Sequence, residues 1–196
     1  MLSAITTLLT LLSFYPYIRS IMKQETKPHV FSWVIWGITT CLVFAAQLSG
    51  GGGIGAWPTA VSGLISLCIA VLAYRCKSDV RITRMDWLCL SGALIAILVW
   101  SLTLDPFWAV LLLTLIDTLG FLPTIRKAYH QPFEENMTMY VIVFFRNIVG
   151  IFALETYSPT TILFPAVMSL TIVLAVPLIL FRRWQVSLPP NGGTKF

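Results

Sequence analysis

Charged residues are scarce in this sequence. They make up 11% of its 196 residues, whereas a soluble domain typically carries about 25%. Apolar runs recur along nearly the whole length, and runs of about 20 residues are long enough to cross the roughly 30 Å hydrocarbon layer of a membrane. The scarcity of charge excludes an ordinary soluble domain and predicts an all-α integral membrane protein in contact with the lipid bilayer.

Residues suited to catalysis or metal binding are also few. The four cysteines have no metal-ligand spacing, so we expect free thiols and no metal site. The two histidines stand alone, and no Lys-Ser/Thr pair follows Gly50–Gly53, so this run is interpreted as a flexible turn rather than a phosphate-binding loop. The net charge of +5 does not predict nucleic-acid binding, because the basic residues lie in short loops between apolar runs. We therefore expect no cofactor and no enzyme activity.

The apolar runs divide the chain into seven predicted membrane spans. Their approximate bounds are 2–22, 29–48, 56–76, 85–104, 107–128, 137–155 and 160–183. Of the 13 Lys and Arg residues, 12 lie on one side of the predicted membrane, and Arg146 lies within a span. Because basic loops stay in the cytoplasm, we expect a multi-pass protein of the cell membrane with its N-terminus outside and its C-terminus in the cytoplasm.

A repeat with a fixed offset of 107 residues runs through the sequence. Phe14–Arg19 (FYPYIR) recurs as Phe121–Arg126 (FLPTIR). The same offset pairs Thr7 with Thr114, Gln24 with Gln131, Pro58 with Pro165, Ser62 with Ser169 and Arg75 with Arg182. The predicted organisation is therefore two parallel three-helix repeats, 1–77 and 106–184, joined by a linker helix within 78–105 and followed by a cytoplasmic tail, 185–196. Parallel repeats of this kind are a known transporter plan.

This 3+1+3 plan resembles the SWEET or PQ-loop (MtN3-like) transporter superfamily. The residues that carry the resemblance are Pro16 and Pro123, near the inner ends of spans 1 and 5, each followed by a short basic loop. The chain is similar in particular to a group of bacterial seven-span proteins, and the resemblance covers residues 1 to about 184. It implies two like-oriented triple-helix bundles that enclose a solute site and open it alternately to the two sides of the membrane.

Two charged residues fall in the middle of predicted spans. Asp117 lies about 11 residues from the outer end of span 5 and Arg146 about 10 residues from the inner end of span 6, so both are about 15 Å deep at 1.5 Å per residue. Charges at that depth are costly unless paired or hydrated. Two interpretations stay open: a structural ion pair that locks span 5 to span 6, or a substrate or proton site. The repeat matches these positions to Thr10 and Thr39.

Further polar and aromatic residues surround this pair in the predicted spans. Asn147 follows Arg146 and matches Thr40 in the repeat, and a buried amide needs a partner, which is either a solute or a neighbouring helix. Trp36 belongs either to an aromatic belt or to a surface on which a ring-shaped solute stacks. The predicted solute site consists of Thr10, Trp36, Thr39, Thr40, Asp117, Arg146 and Asn147.

The paired prolines predict bends near the inner ends of spans 1 and 5. Pro16 and Pro123 each remove an amide donor to the carbonyl of the preceding turn, so each helix can bend there. The bend is either a static kink or an inner gate. As a gate it would be plugged by Tyr15 and Tyr17.

These features favour a small-solute transporter, either facilitative or driven by protons if Asp117 titrates. The solute would be a sugar, an amino acid or a vitamin. If Asp117 ties up Arg146, a neutral or zwitterionic solute is expected, and otherwise a carboxylate. The alternatives are a seven-span receptor or partner-binding protein on a plan that resembles the KDEL receptor, an ion or proton channel, and a membrane-embedded enzyme. A homo-oligomer is compatible with the sequence, because small residues pack helices in monomers and oligomers alike.

Overall fold

Seven α-helices make up most of the described chain. The computed structural model describes residues 1–24, 28, 30–76, 84–121, 125, 129–130, 132–134 and 137–187. The helices are α1 (Leu2–Met22), α2 (Val30–Ser49), α3 (Trp57–Arg75), α4 (Arg84–Thr103), α5 (Pro106–Gly120), α6 (Met137–Phe152) and α7 (Pro159–Ser187). Short 3-10 helices, Gly53–Ala56 and Pro132–Glu134, precede α3 and α6. These ranges contain no β-strand, so the prediction of an all-α chain is confirmed.

The helix bounds follow the predicted apolar runs. Each helix begins and ends within four residues of its run, except α5, which ends at Gly120 rather than at 128. Helix α5 begins at Pro106 for two local reasons. Proline is favoured at the first position of a helix, and the carboxylate of the N-cap residue Asp105 accepts a hydrogen bond from the Phe107 N–H at 2.9 Å. The predicted gate residue Pro123 lies outside the described residues.

Three helical segments are long and apolar enough to cross a membrane: α2, the segment Gly53–Arg75 that contains α3, and α7. Helices α4, α5 and α6 contribute shorter apolar segments, Trp87–Thr103, Pro106–Gly120 and Met137–Phe152. Many buried polar side chains are small hydroxyls, whereas large aliphatic side chains cover much of the exterior. The buried hydroxyls include Thr6, Thr10, Ser13, Thr39, Thr40, Ser62, Ser66, Thr161 and Ser169. This distribution is compatible with a membrane protein.

The helices contact one another in a pattern that occurs twice. Helix α3 packs against both α1 and α2, and α7 packs against both α5 and α6. Between these two triplets, α1 contacts α6, and α2 contacts α5. Helix α4 packs against α5 and, less extensively, against α2. The two triplets therefore meet mainly along two interfaces, α1–α6 and α2–α5, each of which joins a first helix of one triplet to a second helix of the other, and α2 also contacts α7 less extensively.

Glycines bring α2 and α3 close together. A Cβ atom on Gly63 would lie 3.1 Å from the backbone nitrogen of Cys41 and 3.3 Å from the carbonyl oxygen of Gly37. Both of these atoms belong to the backbone of α2, so they cannot move aside as a flexible side chain can. Close approach through small residues is a common way of packing helices in a bilayer, and it fixes the geometry within the first triplet.

We predict that Gly63→Ala destabilises the protein. Alanine would force α2 and α3 apart, and overpacking of this kind typically costs about 1–3 kcal/mol. Gly150→Ala is the matched control, since a Cβ there makes only an ordinary contact, 3.4 Å from Thr6 Cγ2, and the same substitution brings the same gain in helix propensity. Unfolding in detergent measures both variants. Equal stability of the two variants would contradict the close packing at Gly63.

Candidate functional site

Arg146 lies at the interface between α1 and α6. Its side chain is only 8% exposed. The guanidinium donates from Nε to Thr10 Oγ1 at 3.1 Å, from Nη1 to Asn147 Oδ1 at 2.8 Å and, weakly, from Nη2 to the Pro58 carbonyl at 3.4 Å. Thr10 accommodates this bond because its own hydroxyl proton goes to the Thr6 carbonyl at 2.8 Å. All three acceptors are neutral, so the positive charge of Arg146 is held by dipoles alone.

Asp117 lies at the other interface, between α2 and α5. Its side chain is 9% exposed, and the Thr39 hydroxyl donates to Asp117 Oδ1 at 2.8 Å. The structural ion pair that the sequence allowed is therefore wrong: Asp117 and Arg146, both described, are bonded to threonines of the opposite triplet and not to each other. The physical reason is that the two side chains face different interfaces, although the sequence predicts a similar depth in the membrane for both.

The two contacts are equivalent under the repeat. The offset of 107 residues carries Thr10 to Asp117 and Thr39 to Arg146. It therefore relates the Thr10–Arg146 bond across α1–α6 to the Asp117–Thr39 bond across α2–α5. A hydroxyl can accept from a guanidinium and donate to a carboxylate, so a threonine suits both positions. One charged and one neutral residue thus bridge the two triplets at each interface.

A cavity of about 20 Å³ lies beside Arg146. Five of its lining residues come from the first triplet and its 3-10 helix, and five from the second. They are Thr6, Gln47, Gly55, Pro58 and Thr59, and Arg146, Asn147, Gly150, Leu154 and Pro165. Pro58 and Pro165 are partners in the repeat, as are Gln47 and Leu154. A cavity of this size has room for one or two water-sized groups, and it lies between the triplets.

Two buried amides of this cavity have atoms without a partner. Asn147 is 3% exposed and Gln47 is 1% exposed. Neither Asn147 Nδ2 nor Gln47 Oε1 has a hydrogen-bond partner, although Gln47 Nε2 donates to the Thr161 carbonyl at 2.9 Å. Thr114 Oγ1, one turn from Asp117, is the third such atom among the described residues. Unpaired buried polar atoms cost roughly 1–3 kcal/mol each, so the first two need a polar partner in the cavity, which either water or a ligand can supply.

The predicted site is thus divided by the structure. Arg146 and Asn147 line the cavity, with Thr10 directly behind the guanidinium. Asp117 and Thr39 form the separate contact, and Trp36 lies near them, with its Nε1 only 3.0 Å from where a Cβ on Gly120 would be. Thr40 is buried, and no contact that joins it to the cavity is seen.

Of the predicted gate residues, three are described. Pro16 lies inside α1, which continues through it as far as Met22. Tyr17 packs against Trp33 with ring centroids 5.1 Å apart, whereas Tyr15 is 63% exposed and faces the exterior of the helix bundle. In this form Tyr15 does not plug a passage between helices.

Gln47 was missed by the sequence interpretation. It lies near the end of α2, Val30–Ser49, where a polar residue is ordinary, so its depth in the span gave no signal. Its partner in the repeat is apolar, which concealed it from a comparison of the two halves. Among the described residues no cluster of His, Cys, Asp and Glu could hold a metal ion.

The Gly50–Gly53 run forms a contact surface as well as a turn. Gly51 and Gly53 have positive φ, at 82° and 57°, which favours glycine. A Cβ on Gly53 would collide with the carboxyl group of Glu155. Glu155 Oε1 accepts from the Ile54 N–H at 3.0 Å, and the Glu155 N–H donates weakly to the Gly52 carbonyl at 3.4 Å. The loops that follow α2 and α6 therefore close over one end of the boundary between the triplets.

No family model matches the chain, and no curated protein or solved structure matches it either. The resemblance to the SWEET superfamily therefore stays a prediction from the repeat, the two prolines and the predicted topology.

We predict an energetic coupling between Thr39 and Asp117. The double-mutant cycle of Thr39→Val and Asp117→Ala should give about 1–2 kcal/mol, as expected for a hydrogen bond to a charged group between helices. The control cycle pairs Thr39→Val with Arg146→Gln, two residues that make no bond, and should give nearly zero. Unfolding in mixed micelles supplies the free energies. Coupling in the control cycle and none in the first would refute the assigned contacts.

Proposed function

We propose that this protein is a small-solute transporter of the cell membrane, of SWEET-like type. In this proposal all seven helices cross the bilayer, with the N-terminus outside and the C-terminus in the cytoplasm. Helices α1–α3 and α5–α7 form two like-oriented units, and α4 is the extra crossing that gives both units the same direction. The recurring contact pattern supports this arrangement, because the third helix of each triplet packs against both others.

The observation that carries the proposal is the position of the buried polar groups. Both charged contacts, Thr10–Arg146 and Thr39–Asp117, cross the boundary between the triplets. The cavity takes equal numbers of lining residues from the two sides. A protein that needed only stability would gain little from charges there, because buried charges are costly. Such groups are expected where a polar solute passes between two moving units.

Alternating access follows from the weakness of the contacts across the boundary. The polar contacts between the triplets are individual hydrogen bonds at Arg146, Asp117, Gln47 and Glu155, and a hydrogen bond between helices in a membrane contributes about 1 kcal/mol. The bonds can therefore break as the units rock. Closure by Glu155 and the glycine run would seal the outer end, while the solute leaves toward the cytoplasm. The driving force is the solute gradient, or a proton gradient if Asp117 titrates during the cycle.

We predict that the two charged residues are needed for transport. Proteoliposome uptake of labelled sugars, amino acids, vitamins and small carboxylates should identify a solute for the wild type. Asp117→Asn and Arg146→Ala should each lower its uptake at least tenfold, because each removes a charge at the boundary between the units. Arg75→Gln is the matched control, since Arg75 is exposed, and it should transport normally.

Unchanged uptake in both variants would remove the proposed site. Absence of uptake of every solute, together with saturable binding of a peptide, would favour a receptor instead of a transporter.

A second prediction concerns the outer closure. In a background without the native cysteines, a disulfide between Ile54→Cys and Glu155→Cys would join the two units at their outer ends. It should lower uptake at least tenfold, with recovery on reduction, because the units could no longer separate there. The controls are the two single variants, Ile54→Cys alone and Glu155→Cys alone, which cannot form the bridge and should transport equally with and without reductant. If the bridged protein transports as fast as the reduced one, rocking at this end is excluded.

A further inference from the structure

The cavity beside Arg146 contains an incomplete set of hydrogen bonds. A guanidinium has five N–H donors, and the three bonds of Arg146 leave one N–H on Nη1 and one on Nη2 without a partner. Asn147 Nδ2 adds further unpaired donors, and Gln47 Oε1 adds an unpaired acceptor. All three residues line the same cavity. Its polar lining therefore offers several donors around one positive charge, and one acceptor.

The charge of Arg146 selects among the ligands that could use these groups. No carboxylate of the described residues forms an ion pair with Arg146, and its acceptors are a hydroxyl, an amide and a carbonyl. A buried cation without a counter-ion is strongly unfavourable, and an anion that neutralises it recovers much of that cost. Water can bridge unpaired atoms, but it cannot neutralise the charge. The arrangement therefore favours an anion over a neutral solute.

The geometry of the donors favours a carboxylate. A guanidinium presents parallel N–H groups that match the two oxygens of a carboxylate, and the Asn147 amide can donate to one of the same oxygens. Gln47 Oε1 in turn requires a donor, which a hydroxyl group next to the carboxylate would supply. The volume of about 20 Å³ has room for one or two water-sized groups in this form, so the ligand must be among the smallest of its class and the two triplets must move apart to admit it.

We infer that Arg146, Asn147 and Gln47 bind the carboxylate and hydroxyl groups of a small hydroxycarboxylic acid. The carboxylate contacts Arg146 and Asn147, and the hydroxyl donates to Gln47 Oε1. This assignment names the class of solute for the proposed transporter, and in that sense it rests on the proposed function. Binding, however, can be measured apart from transport.

The test is binding of radiolabelled glycolate to the purified protein in detergent, with competition by matched compounds. Acetate lacks the hydroxyl, glycolamide lacks the charge, and chloride lacks both the carboxylate geometry and the donor. We expect saturable glycolate binding, about fivefold weaker competition by acetate and at least 50-fold weaker competition by glycolamide and chloride. No saturable glycolate binding, or equal competition by glycolamide or by chloride, would overturn the inference.

Variants locate the binding site. Arg146→Gln should weaken glycolate binding at least tenfold, while the exposed-charge control Arg75→Gln leaves it unchanged. Gln47→Met should bring glycolate and acetate to equal affinity. If Arg146→Gln does not fold, Gly150→Ala keeps the test decisive, because its methyl fills part of the cavity near Thr6 at an ordinary contact distance and should weaken binding at least threefold. Wild-type affinity in the folded Arg146→Gln variant, or in Gly150→Ala where Arg146→Gln does not fold, would place glycolate elsewhere.

The two proposals fail in different ways. Glycolate binding that depends on Arg146, without flux of any solute in proteoliposomes, would refute the transporter and keep the site. Flux of a neutral solute without glycolate binding would refute the site and keep the transporter.

Discussion

The burial of Arg146 without a carboxylate partner among the described residues is the constraint on which the rest of the site depends. A guanidinium withdrawn from water needs acceptors in fixed places, and here they come from Thr10, Asn147 and Pro58. These residues belong to three different helices and to both triplets. The guanidinium therefore joins α1, α3 and α6, and two of its acceptors, Asn147 and Pro58, also line the small cavity beside it.

The repeat explains why threonine faces each charge. In the first triplet the two positions are Thr10 and Thr39, and in the second they are Asp117 and Arg146. A hydroxyl both donates and accepts, so two threonines facing each other would also be complementary at either interface. Replacing one member of each facing pair by a charge keeps a hydrogen bond at both interfaces. It makes the interfaces chemically opposite, since one now carries an acid and the other a base.

Much of the fold could be predicted from the sequence, but side-chain partners could not. The apolar runs predicted the seven helices, because the length and composition of a run are properties of consecutive residues. The depth of a residue along its helix does not tell which neighbouring helix its side chain faces. For that reason the sequence allows a pairing of Asp117 with Arg146 that the structure does not contain. The repeat explains why they are not paired. The first helix of each triplet contacts the second helix of the other triplet, so Asp117 on α5 and Arg146 on α6 face different interfaces. The partner of the glycine run, Glu155, lies about 100 residues away in sequence, beyond any local pattern.

In the proposed transporter, the rigidity of each unit would couple the two oppositely charged interfaces. A rigid unit that rocks must change both interfaces at once, so a ligand that strengthens one of them also holds the other closed. An anion at Arg146 would neutralise the α1–α6 interface and favour the arrangement in which Thr39 remains bonded to Asp117. A proton on Asp117 would weaken its attraction for the Thr39 hydroxyl and favour separation. Solute and proton would then act on one motion from opposite sides, which is the condition for coupling by a population shift between two states.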